Sequence, residues 1–189
     1  MTLGIVAFGG FQAFIVLFSE SIGMDRVAPV FMVSSITVAL VRVCFARLPD
    51  RLGPVLGASI SLVLMGAGLF LVSGWQRPAG LFAATFLMAA GSALLFPSLT
   101  PAAVEGVPES RRASALATFT LFIDIGGALG APLFGIASSA TSYGGAFLFG
   151  GMVCILGLVY LHAVLGPHLG PRGAPLSSEH RIGPAVDSV

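Results

Sequence analysis

The chain contains no lysine. Its nine basic residues are all arginine, set against eight Asp or Glu in 189 residues. Charged residues make up 9% of the total, where a soluble domain carries about 25%. So little charge excludes an ordinary globular surface. A net charge of +1 also excludes nucleic acid as the partner, since that affinity grows with the number of phosphates neutralised. Cysteine is scarce as well. Cys44 and Cys154 both lie inside apolar runs, without spacings that suggest a disulfide framework or a metal site. His162, His168 and His180 stand near or in the C-terminal tail, so they form no zinc constellation, and no cofactor is implied.

What the sequence has is apolar length. It is 56% hydrophobic, with a mean hydropathy of +1.00, 25 glycines and 15 phenylalanines. Residues 1–19, 27–41, 52–76, 78–104 and 125–171 carry no charge. A membrane-spanning helix needs about 20 mainly apolar residues. The last run holds the end of one span and all of another, with a turn at SSATSYGG, 138–145. The pattern predicts an all-α polytopic membrane protein with helices at 3–23, 27–46, 54–74, 78–103, 113–137 and 144–165. The first run is too long, and its start too poor in positive charge, for a cleaved signal peptide. The Pro-, Gly- and Ser-rich residues 166–189 predict a disordered tail.

Six spans would put the turns after the second and fourth helices on the same side as the tail. That side holds Arg47, Arg51, Arg111, Arg112, Arg172 and Arg181, and the other only Arg26 and Arg77. Basic residues mark cytoplasmic loops, which predicts both termini inside the cell membrane.

Two places concentrate chemistry. The turn ARLPDRLGP, 46–54, sets Arg47, Asp50 and Arg51 close together. Asp50 is placed to cap the third helix, Gly53 permits a tight turn, and Pro54 suits a first helical turn. Asp124 lies deep in the fifth helix, where a charge costs at least about 2.5–3.5 kcal/mol and a carboxylate is a functional candidate by default. Protonation removes part of that cost, so the group can take up and release a proton as water access alternates. The structural alternative is an aspartate bonded to neighbouring hydroxyls, with Thr120 one turn earlier. Arg42, one to two turns inside the second helix, is expected to snorkel to the interface and support the 46–54 turn; a pair with Asp124 would be strained. Stripes of small residues, such as Gly126 with Gly130, suit close helix packing. Pro132 beside Gly130 and Gly135 adds a pliable point.

The turn at 46–54 resembles the G-x-L-a-D-R-x-G-R-K loop signature of the major facilitator superfamily. Leu48, Asp50, Arg51 and Gly53 match; Ala46 replaces the first glycine, and Pro54 and Val55 the closing basic pair. FPSLTPAAVEGVPESRRASALATFTLFIDIGGALGAPLFG, 96–135, resembles the tenth and eleventh helices of proton-coupled efflux members. Within it, Gly127, Pro132 and Gly135 match a degenerate G-x-x-x-G-P-x-x-G-G antiporter signature, with Ala131 and Ile136 in place of two glycines.

The resemblance implies the C-terminal half of such a transporter, helices 7–12, moving a small molecule by alternating access against a partner half. It implies a latch role for Asp50, proton coupling at Asp124, and a hinge at Gly127, Ala131, Pro132 and Gly135. It also makes Phe11 and Gln12 candidates for the cavity wall. The expected partners are the lipid bilayer, a small-molecule substrate, a proton, and a second six-helix half or a second copy of this chain. Met1 opens almost directly into the first helix, which fits a fragment that transports nothing alone. A remote rival is an intramembrane serine protease built on Ser92 and His162, although AAGSA lacks that family's signature glycines.

Overall fold

The computed structural model describes residues 2–45, 48–104 and 106–165, with side chains described throughout except at 48–52 and 165. Six helices follow one another: α1 (Thr2–Ser21), α2 (Ala28–Cys44), α3 (Leu48–Gly74), α4 (Pro78–Val104), α5 (Arg112–Ala140) and α6 (Tyr143–Tyr160). A 3-10 turn (Glu109–Arg111) leads into α5, and a π turn (Leu161–Leu165) continues α6. Among the described residues there is no strand. The helices lie where the charge-free runs predict them. The expected tail at 166–189 lies outside the described residues.

Local chemistry sets the ends. Gly23, at φ 77°, closes α1: its N–H donates to Glu20 O at 3.0 Å and the N–H of Met24 to Ser19 O at 2.9 Å. This is the paired bond of a Schellman cap, in which glycine takes the left-handed position. It stops α1 just short of the expected end. Ser142 caps α6 by accepting from the N–H of Gly145 at 3.2 Å. Nothing in Ala137–Ala140 breaks α5, so that helix runs past the expected end at 137.

The third helix departs from expectation. One helical turn precedes Gly53, whose φ of 76° and ψ of 167° interrupt the helix. Pro54 then opens the continuous stretch, since its missing N–H is unused in a first helical turn. The 46–54 segment is therefore a short turn of helix and a glycine break, where a single tight turn was expected. The capping role of Asp50 falls on side chains outside those described.

Five helices are long and apolar enough to cross a membrane; α2, at 17 residues, is shorter. Their outer surface suits lipid rather than water. Val43 is 79% exposed and Ile136 67%. Hydroxyls are satisfied within their own helices: Ser61, Thr85 and Ser98 each donate to the carbonyl one turn earlier, which leaves no demand for water. Trp75 and Tyr143 mark one rim and Tyr160 the other, about 26 Å apart along α6, close to the thickness of a hydrocarbon core. The protein is a multi-pass membrane protein.

Packing follows the small residues. In lipid, helices associate through close backbone approach. A Cβ on Gly91 would stand 2.7 Å from Ser61 O on α3, and one on Gly130 would stand 2.5 Å from the backbone N of Gly10. These contacts join α3 to α4 and α1 to α5. The core is aromatic: Phe147 of α6 meets Phe11, Phe18 and Phe134 at centroid distances of 5.9, 5.1 and 6.3 Å. By contrast α2 packs only on α4, through Val30, Ser34 and Thr37. The pairings α1 with α5 and α4 with α2 mirror one another, as do α3 with α4 and α6 with α1. That is the pattern of two three-helix repeats.

Candidate functional site

The site is the open side of α5. This helix buries only Gly126, Gly130 and Phe134. At 100° per residue, two further stripes flank that line. On one side stand Phe122, Ile125, Leu129 and Ile136, all large, apolar and exposed. On the other stand Thr120, Asp124, Gly127, Ala131 and Gly135, small or polar, with Thr120, Asp124 and Ala131 exposed. One helix therefore presents a lipid-like face and a face of a different kind, and Asp124 lies on the second.

Asp124 is about 18 Å along the axis from Arg112 and about 24 Å from Ala140, close to the middle of α5. The Thr120 hydroxyl donates to Leu116 O at 3.0 Å, so it is committed to its own helix rather than to the carboxylate. The helices packed on α5 are α1, α4 and α6, and none carries a basic residue within its bounds. Among the described residues, no group of this bundle neutralises Asp124.

Arg42 does not. It is exposed in the last turn of α2, and α2 makes no contact with α5. The strained pair is absent, and the arginine is free to reach the interface, as its length allows. Support of the 46–54 segment involves residues outside those described.

The two wall residues separate. Phe11 is 1% exposed, its ring against Phe147 in the aromatic core; it lines no surface of this bundle. Gln12 is half-buried one position round the helix. It lies on the same side of α1 as Gly9, whose backbone meets that of Gly127. Gly126 packs beside Thr2, so Gln12 sits about 15 Å further along the axis than Asp124. The two polar groups share a side but not a level.

The four residues of the expected hinge are also unequal. Side chains added at Gly127 or Gly135 would find ordinary space, with nearest atoms at 4.0 and 3.8 Å. Ala131 and Pro132 are exposed, and α5 stays helical through the proline. The glycines that carry packing are Gly126 and Gly130, and their four-residue spacing was the signal for it.

The protease dyad is not assembled. The Ser92 hydroxyl donates to Ala89 O at 3.0 Å, His162 is exposed with Nδ1 3.1 Å from Leu158 O, and α4 touches neither α6 nor the π turn. Nucleophile and base need hydrogen-bond reach. Among the described residues no cluster could hold a metal ion.

Comparison with known proteins agrees with this architecture. A family model described as Major Facilitator Superfamily matches residues 1–185. The chain is 29% identical over 166 residues to the MFS-type transporter STM4428 of Salmonella typhimurium, covering 86% of this chain and 42% of that protein. It is 32% identical over 139 residues to the MFS-type transporter YhhS of Escherichia coli K12, covering 74% and 34%. It is 30% identical over 158 residues to the MFS-type transporter PA14_38730 of Pseudomonas aeruginosa, covering 84% and 39%. The chain thus spans well under half the length of these relatives.

Proposed function

The chain belongs to the major facilitator superfamily, and from that premise we propose that it is the C-terminal half of a small-molecule transporter, with Asp124 on the path of a coupled proton. In this reading six helices cross the cell membrane, α2 included. Its arginine-rich end faces the cytoplasm together with both termini; Arg42, Arg111 and Arg112 at that end against Arg26 and Arg77 at the other support this orientation. The motif resemblance at 46–54 and 96–135 supports the assignment to the second half. The reduced coverage of the relatives fits a half-size unit that needs a partner bundle to transport anything. A second copy of this chain could serve, because a two-fold axis along the membrane normal keeps both copies in one orientation.

The observation that carries the reading is an exposed carboxylate in mid-helix, on the small-residue face of α5, with no basic residue on the helices packed around it. In lipid such a group would cost about 2.5–3.5 kcal/mol or more. The cost falls if that face meets a water-filled crevice shared with the partner half. Water on the outer side would deliver a proton to Asp124. The neutral acid then crosses the closed, dry state more cheaply than the carboxylate would. Water on the inner side would take the proton away, and the empty carboxylate would favour loading of substrate for export. Gln12 would supply a polar contact on the crevice wall, Asp50 would latch the two halves, and α5 would flex near Pro132. No covalent step is involved.

The test is flux in proteoliposomes holding the complete two-half assembly, driven by a pH gradient and read over a panel of amphipathic dyes. Asp124→Asn should abolish gradient-driven accumulation while leaving downhill exchange. Unchanged gradient-driven flux would remove Asp124 from the coupling path.

A further inference from the structure

Beneath the start of α1 lies a cavity of about 240 Å³, lined by Leu62, Leu95, Leu99, Phe119, Tyr160 and Leu161 among others. Its walls come from α3, α4, α5, α6 and the turn after α6. Those same four helices surround α1 itself. The level of α1 among them can be read from its contacts. Gly4 meets Leu62 and Leu95, Leu3 meets Gly157, and Thr2 meets Gly126. Each partner helix continues well past that level. From Gly126, α5 runs about 21 Å back to Arg112; from Leu95, α4 runs about 14 Å on to Val104; and from Leu62, α3 runs about 12 Å back to Pro54.

Leu62 and Leu95 therefore belong both to the seat of α1 and to the roof of the cavity. Ala58, Leu99 and Leu161 form the next layer down, one turn further along their helices. The cavity lies in line with the axis of α1, and its lining carries no charged residue.

We propose that this cavity is the seat of one to two further turns of apolar helix that continue α1 on the N-terminal side of Thr2. Three observations select that occupant over a lipid chain or a substrate. The void is collinear with α1. It is ringed by the helices that already grip α1. Its small residues, Ala58, Ala102, Ala103 and Gly157, match the close helix packing seen along the rest of α1. The inference rests on packing alone and stands whether or not the bundle transports anything. It also gives Asp124 a neighbour, because Asp124 lies about 3 Å below the level of Thr2 along the axis, beside the place where the added turns would pass.

The test uses the full chain carrying Cys44→Ser and Cys154→Ala, with and without an eight-residue Ala/Leu helical extension ahead of Met1. Single cysteines at four successive extension positions are paired with Ala102→Cys in the cavity or with Val63→Cys on the outer surface, where Val63 is 54% exposed. The expected result is oxidative cross-linking to the cysteine of Ala102→Cys at one or two of the four positions and none to that of Val63→Cys. The extension should also raise the melting temperature by several degrees. Ala102→Leu in the unextended chain, which fills the void directly, should raise it too, and should cancel the gain from the extension. Cross-linking to both sites alike, or no cross-linking with an unchanged melting temperature, overturns the proposal. So does destabilisation of the unextended chain by Ala102→Leu, or loss of stability on delipidation that the extension does not restore.

Discussion

Adding one methyl group at Gly130 should separate two helices. A Cβ there would stand 2.5 Å from Gly10 N, 2.6 Å from Val6 O and 2.9 Å from Gly9 C. All three are backbone atoms, so no side chain can swing away. Comfortable contact for such pairs is about 3.5 Å, so α1 and α5 must part by about 1 Å. Overpacking of this kind costs about 1–3 kcal/mol.

Gly135→Ala in the same helix is the control. Its Cβ would meet Phe14 Cζ at 3.8 Å, an ordinary contact. Both substitutions gain the same helical preference of alanine over glycine, about 0.5–1 kcal/mol, so the difference between them isolates the interface. Thermal unfolding in detergent should place Gly130→Ala below Gly135→Ala by about 1–3 kcal/mol, or about 2–4 °C for each kcal/mol in a chain of this size. Equal melting temperatures would refute the account of how α1 and α5 are held.

Gly53→Ala should cost about 1–3 kcal/mol in the same assay, because φ 76° with ψ 167° is a region that only glycine enters freely; Gly74→Ala, with equally open surroundings and no positive φ, should be near neutral. Phe147→Ala should cost about 3 kcal/mol or more, since it removes the ring at the centre of the aromatic core, and a loss under 1 kcal/mol would contradict that placement. Ser73→Ala deletes the hydroxyl that donates to Gly144 O at 2.8 Å between α3 and α6; hydrogen bonds between membrane helices average about 0.6 kcal/mol, so its effect should be small but measurable.

Much of the architecture was legible because charge-free runs of spanning length leave few alternatives to a helix bundle. Ends were less legible. The stop of α1 depends on Gly23 adopting a positive φ, and the break at Gly53 depends on a backbone angle that composition does not reveal. Within the site, the sequence showed that Asp124 lay deep in a helix, but periodicity alone could not say which side of α5 stays open. Phe11 and Gln12 are adjacent in sequence and were taken as one wall; the helix turns them to opposite fates, one against Phe147 and one toward an open side. In the same way four glycines of α5 looked alike. Only the position of α1 separates Gly126 and Gly130, which touch its backbone, from Gly127 and Gly135, which leave room for a side chain.

Everything functional in this account follows from the two unlike faces of α5, and cysteine labelling tests them directly. Single cysteines would replace Thr120, Asp124 and Ala131 on one face, and Phe122, Ile125 and Leu129 on the other. The host is the membrane-embedded two-half assembly with Cys44→Ser and Cys154→Ala. A water-soluble maleimide should modify the first three positions, with reactivity that changes when substrate is added, and leave the second three unmodified. Equal labelling of both faces, or labelling of the second face alone, would show that no wet crevice lies against Asp124.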